Sequence, residues 1–403
     1  MAPDSSAQPD IKLQFPDLEP VGPGTPTGQY LRRFWHPVFR ARDLKPKQAK
    51  PVEILNEKFT LYRGEDGIAR ITEFRCPHRG TQMSIGWVEG DSIRCRYHGW
   101  RYDGTGQCVE QPNEENPFCA NVKIRTYPTR EYLGLIFAYL GDGEPGPFPR
   151  YADFDLPGTI VTDPPEVLPC SFWNRLDNDA GHVPWVHRTT AIRENWNHYL
   201  VLRQEEIEET SYGYRSKRVA GKGEDQNALG MREFVHFFMP NAFQFYQRTR
   251  AKGYENKTWW DAKITWTVPV NDHTYVGFDV TRTPVDGVEG LAYATDRYAQ
   301  MDAEGEVRWD IAEKILAGEM SLDELPADMG AATCFIIEDY VTQVGQGSVR
   351  GRGREHLGKG DVKPVLLRRI YNREITAMLQ SQPMKEWEMP EEPFQTGNVP
   401  KAS

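Results

Sequence analysis

The feature that most limits how this chain can fold is a pair of loops, "CPHRG" at 76–80 and "CRYHGW" at 95–100. Each supplies one thiol and one imidazole, Cys76 with His78 and Cys95 with His98, and sixteen residues separate His78 from Cys95. Both carry a glycine, which lets backbone approach a buried inorganic group closely. Two readings compete. Two sulfurs and two nitrogens suit tetrahedral structural zinc, although such sites usually pair cysteine with cysteine and histidine with histidine in short steps. The mixed pairs here suit a two-iron, two-sulfide cluster, with two cysteines on one iron and two histidines on the other. Neutral imidazoles in place of thiolates raise the potential and make the cluster a mild one-electron relay. Trp87, Tyr97 and Trp100 are expected to shield it from water, with ordinary core packing as the plainer role.

The run "CPHRG…CRYHGWRYDGTGQC" resembles the Rieske domain of Rieske non-haem iron oxygenases. "VGPGTPTGQYLRRFWHPV" (21–38) is similar to the start of the phthalate-dioxygenase-like branch, and "REHLGKGDVKPVLLRRI" (354–370) to its C-terminal element, so the likeness spans nearly the whole chain. The oxygenase (alpha) subunit is the part resembled. The resemblance implies a [2Fe-2S] cluster on Cys76, His78, Cys95 and His98 and a second, mononuclear Fe(II) centre elsewhere. Cys108, Cys119, Cys170 and Cys334 have no partnered spacing and read as small buried hydrophobes.

A chain of 403 residues exceeds what one core usually organises. Residues 1–27, rich in Pro, Gly, Ser and Asp, read as an extended N-terminal arm. From 28 to 150 short strands dominate: "PVEILNEKFTLYRGEDGIARITEF" alternates with period two on both sides of "RGEDG", a hairpin signature. "GDGEPGPFPRY" (141–151) is the expected linker. Residues 151–383 hold longer aromatic and β-branched strands, "FVHFFMPNAFQFYQ", "TWWDAKITWTVPV" and "TYVGFDVTRTP". Helical spacing marks "VRWDIAEKILAG" and "PVLLRRIYNREITAMLQ". Residues 384–403 read as a loosely held tail. The expected class is α+β: an all-β Rieske domain, then a catalytic domain with an antiparallel sheet flanked by helices, of helix-grip type.

"DNDAGHVPWVH" (177–187) carries the second constellation. His182 and His187, five apart, would sit about 140° from one another on a straight helix. Pro184 argues for a break that could bring both rings to one point. Such iron sites take two histidines and one carboxylate, leaving positions open for dioxygen and substrate. The resembled family's D-x-x-H-x4-H pattern falls on Asp179, His182 and His187. The likeness implies that Asp179 is not a ligand but bridges an iron-ligand histidine to His98 of the neighbouring subunit, an outer bond that fixes ring orientation. The carboxylate ligand then comes from "CFIIEDYVTQVGQG" (334–347). In the resembled branch it is the second acid, Asp339 here, with Glu338 as the alternative; neighbouring residues on a helix lie about 100° apart, so one of the two is expected to face the iron. Many relatives place an asparagine where this chain has Leu176, with Asn174 and Asn178 nearby. Asp177 has no place in the pattern and reads as a solvated surface acid.

Aromatic strands should line a pocket beside the iron. Trp185 and Phe243 are candidates, with Phe172, Phe237 and Phe245, each weighed against plain core packing. Arg218 and His236 could hold an anionic group through charge-assisted bonds. The implied reaction is reductive activation of dioxygen, ending in hydroxylation, dihydroxylation or oxidative dealkylation of an aromatic compound, with aromatic carboxylates and aryl ethers favoured. An N-demethylase of a non-aromatic or quaternary amine is the neighbouring alternative. An electron carrier without oxygenase activity and a zinc-stabilised interaction module are the alternatives from other classes. No G-x-G-x-x-G fingerprint occurs, so electrons should come from a separate NAD(P)H-dependent reductase, flavin and iron–sulfur based, or from a ferredoxin. The resemblance also implies a head-to-tail homotrimer or a trimer-based oligomer. A net charge of -10 argues against nucleic acid as a partner. No secretory leader or span of roughly 20 apolar residues is read in the sequence. A cytoplasmic location is expected.

Overall fold

Alternation on both sides of 64–68 produces the expected hairpin: strands Glu57–Arg63 and Ala69–Glu73 pair antiparallel. The turn between them is closed by Gly64 N donating to Ile68 O at 3.1 Å, with Gly67 at φ 81°. The computed structural model describes residues 13–181, 184–195, 204–219, 231–249, 251–254, 256–304 and 309–394. This hairpin belongs to a four-stranded sheet with Ala49–Ile54 and Thr126–Tyr127. A second four-stranded sheet, Trp87–Glu89, Ser92–Arg94, Arg101–Tyr102 and Cys108–Glu110, carries the second Cys–His loop between its two middle strands, and the first loop lies on the connection from Ala69–Glu73 into it. The wholly apolar run Leu135–Tyr139 is buried at every position, as the centre of a three-stranded sheet requires.

The second half is built on an eight-stranded antiparallel sheet. Its order runs Thr159–Thr162, Thr274–Thr283, Trp260–Asn271, Ala242–Arg248, Met231–Phe238, Gly213–Val219, Gln204–Glu209, with Glu166–Leu168 also paired to Thr274–Thr283. Residues directly opposite in antiparallel strands share a face, so the register sorts the side chains. Tyr275, Gly277 and Asp279 lie with Lys263 and Thr265, and these with Phe243, Phe245, Phe237 and Tyr214. This face looks at three helices: Phe172–Gly181, Ala331–Gly345 and Val362–Leu379. Tyr275 Oη donates to Gln343 Oε1 at 3.0 Å, and Glu205 pairs with Lys363 of the last helix. The opposite face carries His236 and also Trp266, Phe238 and Tyr246, which pack on the N-terminal half: Trp266 Nε1 donates to Tyr151 Oη at 3.1 Å and its ring meets Phe137 edge-on.

One buried cluster consequently runs from Leu18 to Ile375, and a smaller one surrounds the Cys–His loops. Each fully buried large side chain, Trp173, Trp266 or Phe237 among them, stabilises the fold by about 2–3 kcal/mol.

Two expectations about the termini change. The described part of the N-terminal arm is docked: Leu18 and Val21 are buried, Trp173 Nε1 donates to Leu18 O at 2.9 Å, and Glu19 accepts from the backbone of Val349 and Arg350 at 2.6 and 3.1 Å. The described part of the tail is held too. Trp387 Nε1 donates to Tyr30 Oη at 3.2 Å and Phe394 stacks on His236 at 3.5 Å. Both segments cover apolar surface that the helices and sheet leave open. Residues 1–12 and 395–403 lie outside the described residues. Among the described residues, no helix is long and apolar enough to cross a membrane.

Candidate metal centres

The two Cys–His loops are folded by the same backbone device. Cys76 N donates to Thr81 O and Gly80 N to Cys76 O; Cys95 N donates to Trp100 O and Gly99 N to Cys95 O, all between 2.8 and 3.0 Å. Gly80 and Gly99 sit at φ 78° and 74°, where a side chain would be strained, so the loop glycines are required by the turn. The loops present their donors in like pairs. The two thiols are buried within hydrogen-bonding reach of each other, and the His78 and His98 rings stand 4.5 Å apart, only partly buried. The Cys95 thiol is pushed down to about 6, first by the hydrogen bond with Cys76 and then by the backbone N–H groups of Tyr97 and His98, while Cys76 rises. A readily formed thiolate is what a metal needs.

Among the described residues no three His, Cys, Asp or Glu side chains converge on a single ion. A two-iron cluster takes a sulfur pair on one side and an imidazole pair on the other, as these loops present them. The shielding differs from expectation. Trp100 is buried and stacks on His78 at 4.2 Å and 2°. Trp87 is exposed with Arg96 over its ring at 4.3 Å, while Tyr97, also exposed, lies with its ring 3.7 Å from that of His98 and Arg79 5.6 Å from its own.

The second centre begins where the helix Phe172–Gly181 stops. A short 3-10 turn, Pro184–His187, follows, so the expected break at Pro184 is present. His187 is buried and stacks on Phe335 at 3.8 Å. Phe335, Glu338 and Asp339 share one helical face at i, i+3 and i+4, which brings both acids to the same imidazole. Its Nδ1 lies 3.4 Å from Glu338 Oε2 and its Nε2 3.6 Å from Asp339 Oδ1. The two acids differ in surroundings. Glu338 is fully buried and accepts from Thr190 N at 3.1 Å and Thr190 Oγ at 2.7 Å. The Asp339 side chain keeps 23% of its exposure, accepts from Asn178 Nδ2 at 3.2 Å and lies 3.7 Å from Arg175 Nη1. A nitrogen and an oxygen 3.6 Å apart leave room for one ion at bonds of about 2.1 Å to each. The donor set is therefore chemically suited to a divalent metal. His182 lies outside the described residues, as does the side chain of Asp179, whose backbone is in the last turn of the helix.

Asp177 is not a surface acid. Its side chain is 12% exposed and is bound by Arg352 at 3.3 Å and by Arg368, and Glu355 completes the network. Asn174 is buried beside it, donating to Gln343 O and Gly347 O at 2.8 and 2.9 Å. These bonds tie the helix that leads into the histidines to the acidic helix and the last helix.

The pocket candidates divide. Phe243 and Phe245 are half-buried on the helix-facing side of the sheet; Phe237 stacks on Tyr214, and Phe172 meets Trp173 at a tilt, both as core. Trp185 is exposed with Arg188 over its ring. Arg218 stands opposite Glu205 in the register, its side chain outside the described residues. His236 is a correction. It lies on the other face of the sheet, bonded to Tyr212 Oη at 2.9 Å and stacked under Phe394. Burial, aided by Arg215, pushes its pKa down to about 3, so it is neutral and holds no anion. It contributes instead to a cavity of about 960 Å³ between the sheet and residues 388–394.

Sequence reading missed a charged group on the helix-facing side. Lys263 Nζ lies 2.6 Å from Asp279 Oδ2. Burial raises Glu166 to about 7, opposed by Arg175 and reinforced by Asp279 and Asp339. The available signal was a lysine and an aspartate on the inward positions of two otherwise apolar strands.

A family profile described as the Rieske [2Fe-2S] domain matches residues 34–128. The chain is 29% identical over 370 residues to the 5,5'-dehydrodivanillate O-demethylase oxygenase subunit of Sphingobium sp., covering 89% of this chain and 78% of that one. It is 29% identical over 386 residues to the phenoxybenzoate dioxygenase subunit alpha of Ectopseudomonas oleovorans, covering 91% and 85%. Among solved structures, the terminal oxygenase of carbazole 1,9a-dioxygenase from Nocardioides aromaticivorans has the same fold, with TM-score 0.62, 16% identity and coverage of 90% and 96%.

Proposed function

The chain belongs to the Rieske non-haem iron oxygenases, and from that premise we propose that it uses a mononuclear iron to hydroxylate, dihydroxylate or oxidatively dealkylate an aromatic compound, with aromatic carboxylates and aryl ethers favoured. The observation that carries this is the approach of His187 Nε2 to Asp339 Oδ1 at 3.6 Å in a chain that also presents paired thiols and paired imidazoles. Named activities of two relatives, O-demethylation of dehydrodivanillate and dioxygenation of phenoxybenzoate, support the substrate class.

When bound, the cluster supplies single electrons and the mononuclear iron the place where dioxygen is reduced. Cys76 and Cys95 would hold one cluster iron, His78 and His98 the other. His182, His187 and Asp339 would hold the mononuclear iron, leaving the remaining positions for oxygen and substrate. Glu338, fixed by Thr190, lies 3.4 Å from His187 Nδ1 and orients the ring. Asp179 links this centre to His98 of a neighbouring subunit in a homotrimer or trimer-based assembly. An NAD(P)H-dependent reductase, flavin and iron–sulfur based, or a ferredoxin delivers the electrons, in the cytoplasm.

The test is iron content and turnover of the full chain. Protein assembled anaerobically should be brown with about three irons per chain. With a surrogate reductase it should consume oxygen on addition of aromatic acids or aryl ethers and release hydroxylated or demethylated product. Two irons per chain and no substrate-dependent oxygen uptake would leave only an electron carrier.

A further inference from the structure

We propose that Lys263, braced by Asp279, anchors a carboxylate on the aromatic substrate of the mononuclear iron. This rests on the oxygenase reading above and assigns the polar end of its pocket.

Lys263 and Asp279 project from two inner strands of the eight-stranded sheet toward the helices. Side chains there should be sealed, yet these keep 22% and 31% of their exposure, so open space lies above them. Gly277 marks the same space: a Cβ built on it would meet nothing nearer than Glu166 O at 3.8 Å. Beside the pair, Phe245 stands directly opposite Lys263 and Phe243 opposite Thr265, both half-buried on the same face. The floor is therefore an ammonium next to two aromatic rings. Arg175 connects it to the iron ligands, lying 3.7 Å from Asp339 Oδ2 while acting electrostatically on Lys263, Asp279 and Glu166.

Stability does not account for the pair, because a buried Lys–Asp bridge rarely repays its desolvation and apolar residues of like size would often serve as well. An ammonium has three donors. Asp279 takes one and is itself held by Thr265, so the acid is engaged on two sides while Lys263 keeps donors for the open space. Burial would lower the lysine, but Asp279 overrides it and keeps the ammonium charged. Burial raises both Asp163 and Glu166, the neighbouring acids, which weakens them as competing counter-charges. A carboxylate is the partner this arrangement recognises, with the attached ring against Phe243 and Phe245.

Calorimetry on the iron-loaded full chain tests this with three para-substituted probes: methoxybenzoate, methoxytoluene and methoxybenzylamine. The wild type should bind the benzoate in preference to the amine. Lys263→Met should weaken the benzoate about 10- to 100-fold and leave methoxytoluene unchanged, with iron content and cluster absorption intact. The double variant K263M/D279L, which leaves no single buried charge behind, must show the same selective loss. The proposal is overturned if K263M spares the benzoate, if acid and neutral ether weaken together, or if the wild type prefers the amine. Failure of the oxygenase reading registers separately, as an absent third iron or as no oxygen uptake with any aromatic, neither of which this binding comparison measures.

Discussion

His187 Nε2 and Asp339 Oδ1 stand 3.6 Å apart across 152 residues of sequence. The ring's other nitrogen meets Glu338, so two consecutive acids of one helix address two edges of one histidine. Glu338 is saturated by Thr190 and sealed from solvent, whereas Asp339 keeps exposure on the open side. In the function proposed above, Glu338 positions the ring and Asp339 shares its ion.

Asp339→Ala should lower iron from about three to about two per chain while the cluster's visible absorption persists. Glu338→Gln should retain iron but bind it about 10- to 100-fold more weakly, as loss of an outer-shell partner does. Iron analysis after graded chelation separates the two. Loss of the third iron in E338Q and its retention in D339A would reverse the assignment.

Asp179→Asn should spare iron binding more than electron transfer. In a single turnover with the cluster pre-reduced, cluster oxidation should slow by at least about tenfold while three irons remain. An unaltered oxidation rate would remove Asp179 from the bridge between subunits.

Asp177→Ala should destabilise the chain by about 3–5 kcal/mol, since it leaves the buried guanidinium groups of Arg352 and Arg368 with Glu355 as the remaining acid of the network. Denaturant unfolding followed by tryptophan fluorescence measures it. A surface acid would cost under about 0.5 kcal/mol.

Acid should weaken the fold through two buried neutral histidines. Burial holds His36, whose Nε2 bonds Leu31 O at 2.7 Å, down to about 4, and His236 down to about 3. The unfolded chain takes up these protons near pH 6.5 and the folded chain does not, so stability falls as pH drops below 6.5. Each histidine contributes about 1.4 kcal/mol per pH unit, or about 2 kcal/mol between pH 6.5 and 5. His236→Gln should remove its share of that slope. An unchanged slope would mean that His236 is protonated in the folded chain.

Much of the first centre was legible because its donors are local. Cys76, His78, Cys95 and His98 lie within 23 residues, and the glycine-closed turns that present them are written in the same two motifs. The hairpin at 57–73 and the helices at 331–345 and 362–379 were likewise legible, since periodicity and turn residues act over a few positions. That "ED" and "HVPWVH" belong together came from resemblance, and the fold brings His187 and Asp339 within reach of each other.

By itself the sequence determined which residues are covalently obliged to be neighbours, and with them the cluster loops, the break at Pro184 and the alternation of the strands. Only the tertiary structure decided which nitrogen of His187 meets which acid, that Asp177 lies inside an arginine network, and that His236 lies on the sheet face opposite the helix that carries Asp339. It also decided that Lys263 and Asp279 meet over open space. The reason is physical. Period-two alternation states which residues share a face of a sheet, but not what that face packs against. That depends on register and on helices that arrive from distant parts of the chain.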